Sequence, residues 1–97
     1  MNRTEMAEKL AKQADVSQAK AREIIDIIFS TDPGEGIIAV ELDAGRDVTI
    51  TGFGTFRTRQ RGAREGRNPQ NGKKIQVPAQ TLAAFRPGKG LKERIRR

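Results

Sequence analysis

Arg57, Arg59 and Arg61 stand at every second position of a polar run, and the stretch after them, AREGRNPQNGKKI from Ala63 to Ile75, adds Arg64, Arg67, Lys73 and Lys74. In an extended backbone side chains alternate between faces, so the three arginines would project together, with Thr58 and Gln60 on the other side. Seven cations against the single acid Glu65 suit phosphate groups. Neutralising phosphates releases condensed counterions, which makes such binding sensitive to salt. A two-stranded ribbon can follow a DNA groove. Pro69 lies between the arginines and the lysines, a rigid ring without an amide hydrogen. At a hairpin tip it can form the turn or push between stacked base pairs, and its residue type fits both roles.

The remaining inventory mostly excludes. Without Cys or His, the chain has no disulfide frame, no thiolate metal site and none of the commonest general base. A carboxylate-metal nuclease could draw on Asp26, Asp32, Glu35, Glu41, Asp43 and Asp47, but these are scattered through the half of the chain away from the arginines. Surface charge is their simpler role. We expect no enzyme, cofactor, metal or small-molecule substrate. The apolar stretches IIDIIF and GIIAVEL are short and carry acids, and the opening MNRTEMAEKL lacks an apolar block, so the expectation is a soluble, cytoplasmic protein with no membrane partner.

Charge is distributed unevenly. Residues 1–50 hold six Lys/Arg against ten Asp/Glu, a net −4, whereas residues 51–97 hold thirteen against two, a net +11. A polarised basic half implies a polyanionic partner, and nucleic acid is the commonest.

Elements to position these residues can be read along the chain. Asn2 and Glu5 have the spacing of a capping pair, and Met6, Ala7, Leu10, Ala11 and Ala14 follow at helical intervals, which predicts a helix over 3–14. Ser17 can cap a second helix, with Ala21, Ile24, Ile25, Ile28 and Phe29 as its apolar stripe. Ile27 falls outside that stripe, which suggests burial from a second side by a partner subunit. The chain is 35% hydrophobic with four Phe and no Trp or Tyr, so a lone chain would have a thin core. Asp32-Pro33 reads as a capping residue and first helical position, hence a kink or restart, with a further helix through Ile37, Ile38, Val40, Glu41 and Leu42 that Gly45 ends. Val48 and Ile50 alternate as a strand, and Gly52–Phe56 (GFGTF) turns into the next, with Phe53 and Phe56 as core residues. Ile75 and Val77 mark a returning strand, Asn71-Gly72 signals the hairpin, and Leu91 with Ile95 gives a C-terminal helix whose Lys92, Arg94, Arg96 and Arg97 face solvent or phosphate.

The runs GFGTF (52–56), GRNPQNGKKI (66–75) and AFRPGKGLKERI (84–95), with the MNRTEMAEKLA opening, closely resemble the HU and integration host factor family of bacterial nucleoid-associated DNA-bending proteins, over nearly the whole chain. Intercalative bending of the minor groove is that family's own chemistry and reaches this sequence only through the resemblance. The resemblance implies an α+β fold: an intertwined dimer with a helical body, a short antiparallel sheet and protruding two-stranded β-ribbon arms. It implies a helical dimerisation region at 1–45, sheet at 46–56 and 75–85, a DNA-binding arm at 57–74 and a C-terminal helix at 87–96. Pro69 would intercalate, Arg67 and Asn68 would contact groove edges and sugars, and Arg57, Arg59, Arg61, Lys73 and Lys74, with Arg64 beside them, would hold the backbone. Arg3, Lys89 and Lys92 match further basic positions. The implied partners are double-stranded DNA, preferably bent, nicked or gapped, and a second copy of the chain, in the nucleoid, with little sequence specificity. Two departures stand out: Asp32–Gly36 lengthens the region after the second helix, and Ala83 replaces a usual proline.

Rival readings are a sequence-preferring bender like integration host factor and a small basic RNA-binding or ribosomal protein.

Overall fold

The computed structural model describes residues 1–96; Arg97, counted above among the cations of the C-terminal helix, lies outside the described residues. The elements run α1 (Arg3–Ala14), α2 (Gln18–Phe29), α3 (Ile37–Asp43), β1 (Val48–Ile50), β2 (Gly54–Arg61), β3 (Arg64–Arg67), β4 (Lys74–Val77), β5 (Gln80–Pro87) and α4 (Lys89–Ile95). This is the expected α+β composition. The chain divides into two compact units, Met1–Ala44 and the remainder from Gly45.

The helical unit begins where its caps are. Asn2 Oδ1 accepts from the Glu5 amide at 2.9 Å, and Ser17 Oγ accepts from the Lys20 amide at 3.1 Å, each satisfying a donor the helix cannot. Asp15 closes α1 in the left-handed region at φ 55°, a conformation that short polar side chains tolerate. Ala7 and Ala11 of α1 pack on Ala21 and Ile25 of α2, with Leu10 and Val16 against them, and these four are the buried hydrophobic residues among those described. Small alanines let the two helices approach closely at the expense of buried area. Ile27 remains 51% exposed.

After α2 the chain departs from the expected kink. Pro33 is not the first residue of a helix: the Glu35 amide donates to Asp32 O at 2.9 Å and Gly34 has φ 77°, so Asp32–Glu35 is a Pro-Gly turn. Proline pre-sets the second turn position and glycine accepts the positive φ of the third, which together favour this turn over a helix start. Helix α3 then starts at Ile37, after Gly36.

In the second unit, β1, β2 and β5 form an antiparallel sheet in that order, and β3 and β4 form a separate two-stranded one. Phe56 lies opposite Phe85, their rings 4.9 Å apart, and Phe53 meets Phe85 at 5.8 Å. These aromatic rings cluster as expected of core residues, yet Phe53 is 48% and Phe85 40% exposed, so the cluster is only half covered.

Helix α4 has no side-chain cap. Instead the Gly88 amide donates to Phe53 O at 2.8 Å and the Leu91 amide to Gly52 O at 3.0 Å, so the β1–β2 turn supplies the missing acceptors. This seating requires small residues, because a Cβ on Gly90 would lie 2.9 Å from Gly52 O. In an open helix Gly→Ala stabilises by about 1 kcal/mol. Here Gly90→Ala is expected to destabilise by about 1–3 kcal/mol, since backbone must move to admit the methyl group. Urea unfolding followed by circular dichroism checks this, and a gain in stability would show that α4 is not seated on the turn.

Candidate nucleic-acid interface

The arginine row is built by the pairing of β2 with β5. Their register sets Arg57 opposite Ala84, Arg59 opposite Leu82 and Arg61 opposite Gln80. Residues directly opposite share a face, so all three arginines project from one side of the ladder, together with Leu82 and Ala84. Arg86, opposite Thr55, belongs to the same face and extends the row to four. It was not among the sequence-based candidates. Its signal was the parity of the returning strand, which becomes readable once β5 is carried to Pro87. Arg57 and Arg59 are exposed; Arg61 is half-buried, and its Nε has no hydrogen-bond partner.

Beyond Arg61 the ladder is interrupted and then resumes. Residues 62–63 and 78–79 carry no strand, after which Arg64 pairs with Val77, Glu65 with Gln76, Gly66 with Ile75 and Arg67 with Lys74. Three residues on from Arg61 and three back from Gln80 lead to Arg64 and Val77, so the register carries across the gap without an inserted residue. Pro78 has no amide to donate and Gly62 has no side chain to pack, which accounts for the missing rungs. Arg57, Arg59 and Arg61 therefore stand on the longer ladder that reaches the three-stranded sheet, and Arg64 and Arg67 on the short outer one. A Cβ on Gly66 would contact Val77 and Ile75 at 3.3 and 3.6 Å, so these two side chains lean across the glycine as the apolar part of the outer ribbon.

The tip is held by its asparagines. Asn68 donates its amide to Lys73 O at 2.9 Å and accepts from the Gly72 amide at 2.8 Å. Asn68 Oδ1 also accepts from the Gln70 amide, and Asn71 Oδ1 from the Lys73 amide, both at 2.9 Å. The Asn71-Gly72 pair thus does not form the two-residue hairpin turn its sequence suggests. Gly72 alone takes a positive φ, 68°, and Asn71 works through its side chain. Pro69, inside the loop that Asn68 closes, is exposed.

The cations outside the ribbon differ from those on it. Arg3 Nη1 pairs with Asp26 Oδ1 at 3.3 Å and Nη2 donates to Phe29 O at 3.4 Å, tying the start of α1 to the end of α2. With both side chains about half exposed, such a pair is worth at most about 1 kcal/mol. Lys89 lies 3.9 Å from Glu93 on α4, and Lys92 is exposed on the same helix. By contrast, among the described residues Arg57, Arg59, Arg61, Arg64, Arg67, Lys73 and Lys74 make no ion pair. Nor do the described residues bring three or more acids together at a metal-holding site.

A family model described as "Bacterial DNA-binding protein" matches residues 1–96. The DNA-binding protein HU-beta of Serratia marcescens is 41% identical over 95 residues, covering 98% of this chain and 99% of that protein. The DNA-binding protein HU of Staphylococcus aureus (strain COL) is 40% identical over 96 residues, covering 99% of this chain and all of the other. Among solved structures, an Anabaena HU–DNA cocrystal structure matches with a TM-score of 0.84 at 35% identity, covering 98% of this chain and 97% of that one. An HU mutant from Thermotoga maritima matches with a TM-score of 0.68 at 27% identity, over 99% of this chain and all of the other.

Asn68→Ala removes the side-chain acceptor from the tip and leaves every ladder pair in place. We expect a loss of about 0.5–1.5 kcal/mol of local stability, read as faster hydrogen exchange at the Gln70 amide with helix α1 unaffected. Unchanged exchange at Gln70 would mean that the side chain does not order the tip.

Proposed function

The chain belongs to the bacterial DNA-binding protein family, with HU proteins among its relatives, and we propose that it bends duplex DNA through the minor groove with two β-arms. As a member of that family it is a nucleoid-associated DNA-binding protein and not an enzyme. The observation that carries the finer reading is the exposed Pro69 at the end of a ribbon whose seven cations make no ion pair among the described residues.

Each part has a physical task. Arg57, Arg59 and Arg61, with Arg86 beside them, take the phosphates nearest the sheet, while Arg64, Arg67, Lys73 and Lys74 continue along the duplex. Arg67 and the amide NH2 of Asn68, whose oxygen is already used in the tip, reach groove edges and sugars. Pro69 enters a base step. Unstacking that step costs a few kcal/mol, offset by the phosphates that the bend brings within reach of the arginines. Arg3 can exchange its exposed carboxylate for a phosphate, and Lys89 and Lys92 flank the path. Contacts of this kind read shape and deformability more than base identity, because the minor groove separates mainly A·T from G·C.

Two arms require two chains. The half-covered cluster of Phe53, Phe56 and Phe85 is the surface a second copy would bury, giving a homodimer whose helical region 1–45 completes the body. The expected division puts the arm at 57–74, the sheet at 46–56 and 75–85 and the terminal helix at 87–96, but Ile75 and Val77 pair with Gly66 and Arg64 and so belong with the outer ribbon of the arm.

Pro69→Ala tests the wedge. Fluorescence transfer between the ends of a short intact duplex should report a smaller bend with the variant, while affinity for a nicked duplex, whose step is already loosened, should change much less. Equal bend angles for variant and parent would contradict intercalation.

A further inference from the structure

Asn71 is the one asparagine of this chain followed by glycine, and that pair has a chemistry of its own. Asparagine is among the thermally labile residues, and with no side chain on Gly72 to shield it, the Gly72 nitrogen can attack Asn71 Cγ. The approach is open here: Asn71 and Gly72 are exposed, and a Cβ on Gly72 would meet nothing within 4 Å. Asn71 Oδ1 accepts from the Lys73 amide at 2.9 Å, which draws electron density from Cγ and makes it the better electrophile. One contact opposes the attack. The Gly72 amide donates to Asn68 O at 2.8 Å, so its proton is held. The other two asparagines lack this chemistry. Asn2 precedes Arg3 and caps α1, and Asn68 precedes Pro69, whose nitrogen has no proton to lose.

We propose that Asn71 is a self-modification site, converted to aspartate and isoaspartate when the Asn68–Gly72 hydrogen bond opens, and that this conversion retires arms that are not holding DNA. The bond lies beyond the last ladder pair, Arg67 with Lys74, in an exposed loop, and such segments open at small free-energy cost. Once it opens, the Gly72 nitrogen gives its proton to solvent base and bonds to Asn71 Cγ; the Cγ–Nδ2 bond breaks and Nδ2 leaves as ammonia. Water then opens the five-membered imide at Cγ, giving aspartate, or at the main-chain carbonyl, giving isoaspartate, with no change of oxidation state. Aspartate keeps an acceptor for the Lys73 amide, but its carboxylate joins Glu65 as a second acid against the seven cations. Isoaspartate routes the main chain through an added methylene, so the loop no longer fits the hydrogen bonds that join Asn68 to Gly72 and Lys73. Both products weaken a grip on phosphates. That consequence rests on the proposed arm, whereas the chemical step rests on the tip alone. A duplex seated on the tip holds the loop shut, so bound arms keep their asparagine.

The test incubates the full chain, free of DNA, at neutral and mildly alkaline pH. Trypsin then releases the segment 68–73 for mass spectrometry, and isoaspartate is read by its specific methyltransferase. Asn71 should convert, faster at the higher pH, and Asn68→Ala, which removes the side-chain bond to the Gln70 amide, should speed conversion by about two- to tenfold. The incubated parent should bind duplex about two- to tenfold more weakly at low salt than fresh protein. Asn71→Ser, which keeps an oxygen acceptor and has no amide to lose, should come through the same incubation with its affinity unchanged. Duplex at about ten times its dissociation constant should slow conversion about tenfold. A native chain that stays unconverted while the same chain unfolded in guanidinium converts overturns the proposal. So does an Asn68→Ala variant that converts no faster than the parent, or a converted parent that binds like fresh protein although bound duplex slows the conversion. The arm reading fails separately: bound duplex would then leave the rate undiminished while the free chain still converts.

Discussion

Like-charge repulsion along the ribbon, with no ion pair among the described residues to relieve it, is the constraint on which the arm depends. Seven cations share a narrow ribbon with one acid, and none of the seven finds an ion-pair partner among the described residues. In water the repulsion is tolerable because the dielectric is high and salt screens what remains. It also means that the ribbon gains most when a polyanion brings phosphates to it. Several features follow from that condition. The ribbon is polar and thin, so it cannot fold over the sheet to bury itself. Its ladder lacks rungs at 62–63 and 78–79, and isolated two-stranded ribbons are marginal in water. Its tip is ordered by hydrogen bonds of Asn68 and Asn71, with no hydrophobic packing required.

The rest of the chain supplies an anchor, and it does so economically. Four residues, three of them alanine, form the buried core of the helical unit. The sheet contributes a phenylalanine cluster with one side open. Small domains bury too little surface to be robust alone, and on the proposed reading a second copy covers the open cluster and at the same time delivers the second arm. Stability and function would then share one requirement, since an isolated chain would have neither a closed core nor a pair of arms to hold a bent duplex.

Much of this was legible in the residues, for identifiable reasons. The helix starts were visible because Asn2 and Ser17 act through local hydrogen bonds that depend on spacing alone. The arginine row was visible because strand alternation has a fixed period. What escaped depended on pairing or on competing local preferences. Pro33 suits both a helix start and a Pro-Gly turn, and Gly34 with the Asp32–Glu35 hydrogen bond decided for the turn. Asn71-Gly72 signalled a hairpin but not its type, because Asn68 closes a longer loop. Arg86 could be placed only once the eight-residue register of β2 with β5 was known. Gly62 and Pro78, both plain in the sequence, marked the ladder's gap, but only the unchanged register on either side shows that it is a gap and not a bulge.

The central claim is that unpaired arm cations bind by neutralising phosphates, and the dependence of duplex affinity on salt tests it most directly. Titrating the parent and an Arg57/Arg59/Arg61→Ala variant across salt concentrations should give linear plots of log affinity against log salt, falling by about 0.9 per phosphate neutralised, with the variant's slope shallower by roughly 2–3 for each engaged arm. A parent whose affinity hardly responds to salt, or a variant with the parent's slope, would contradict the account.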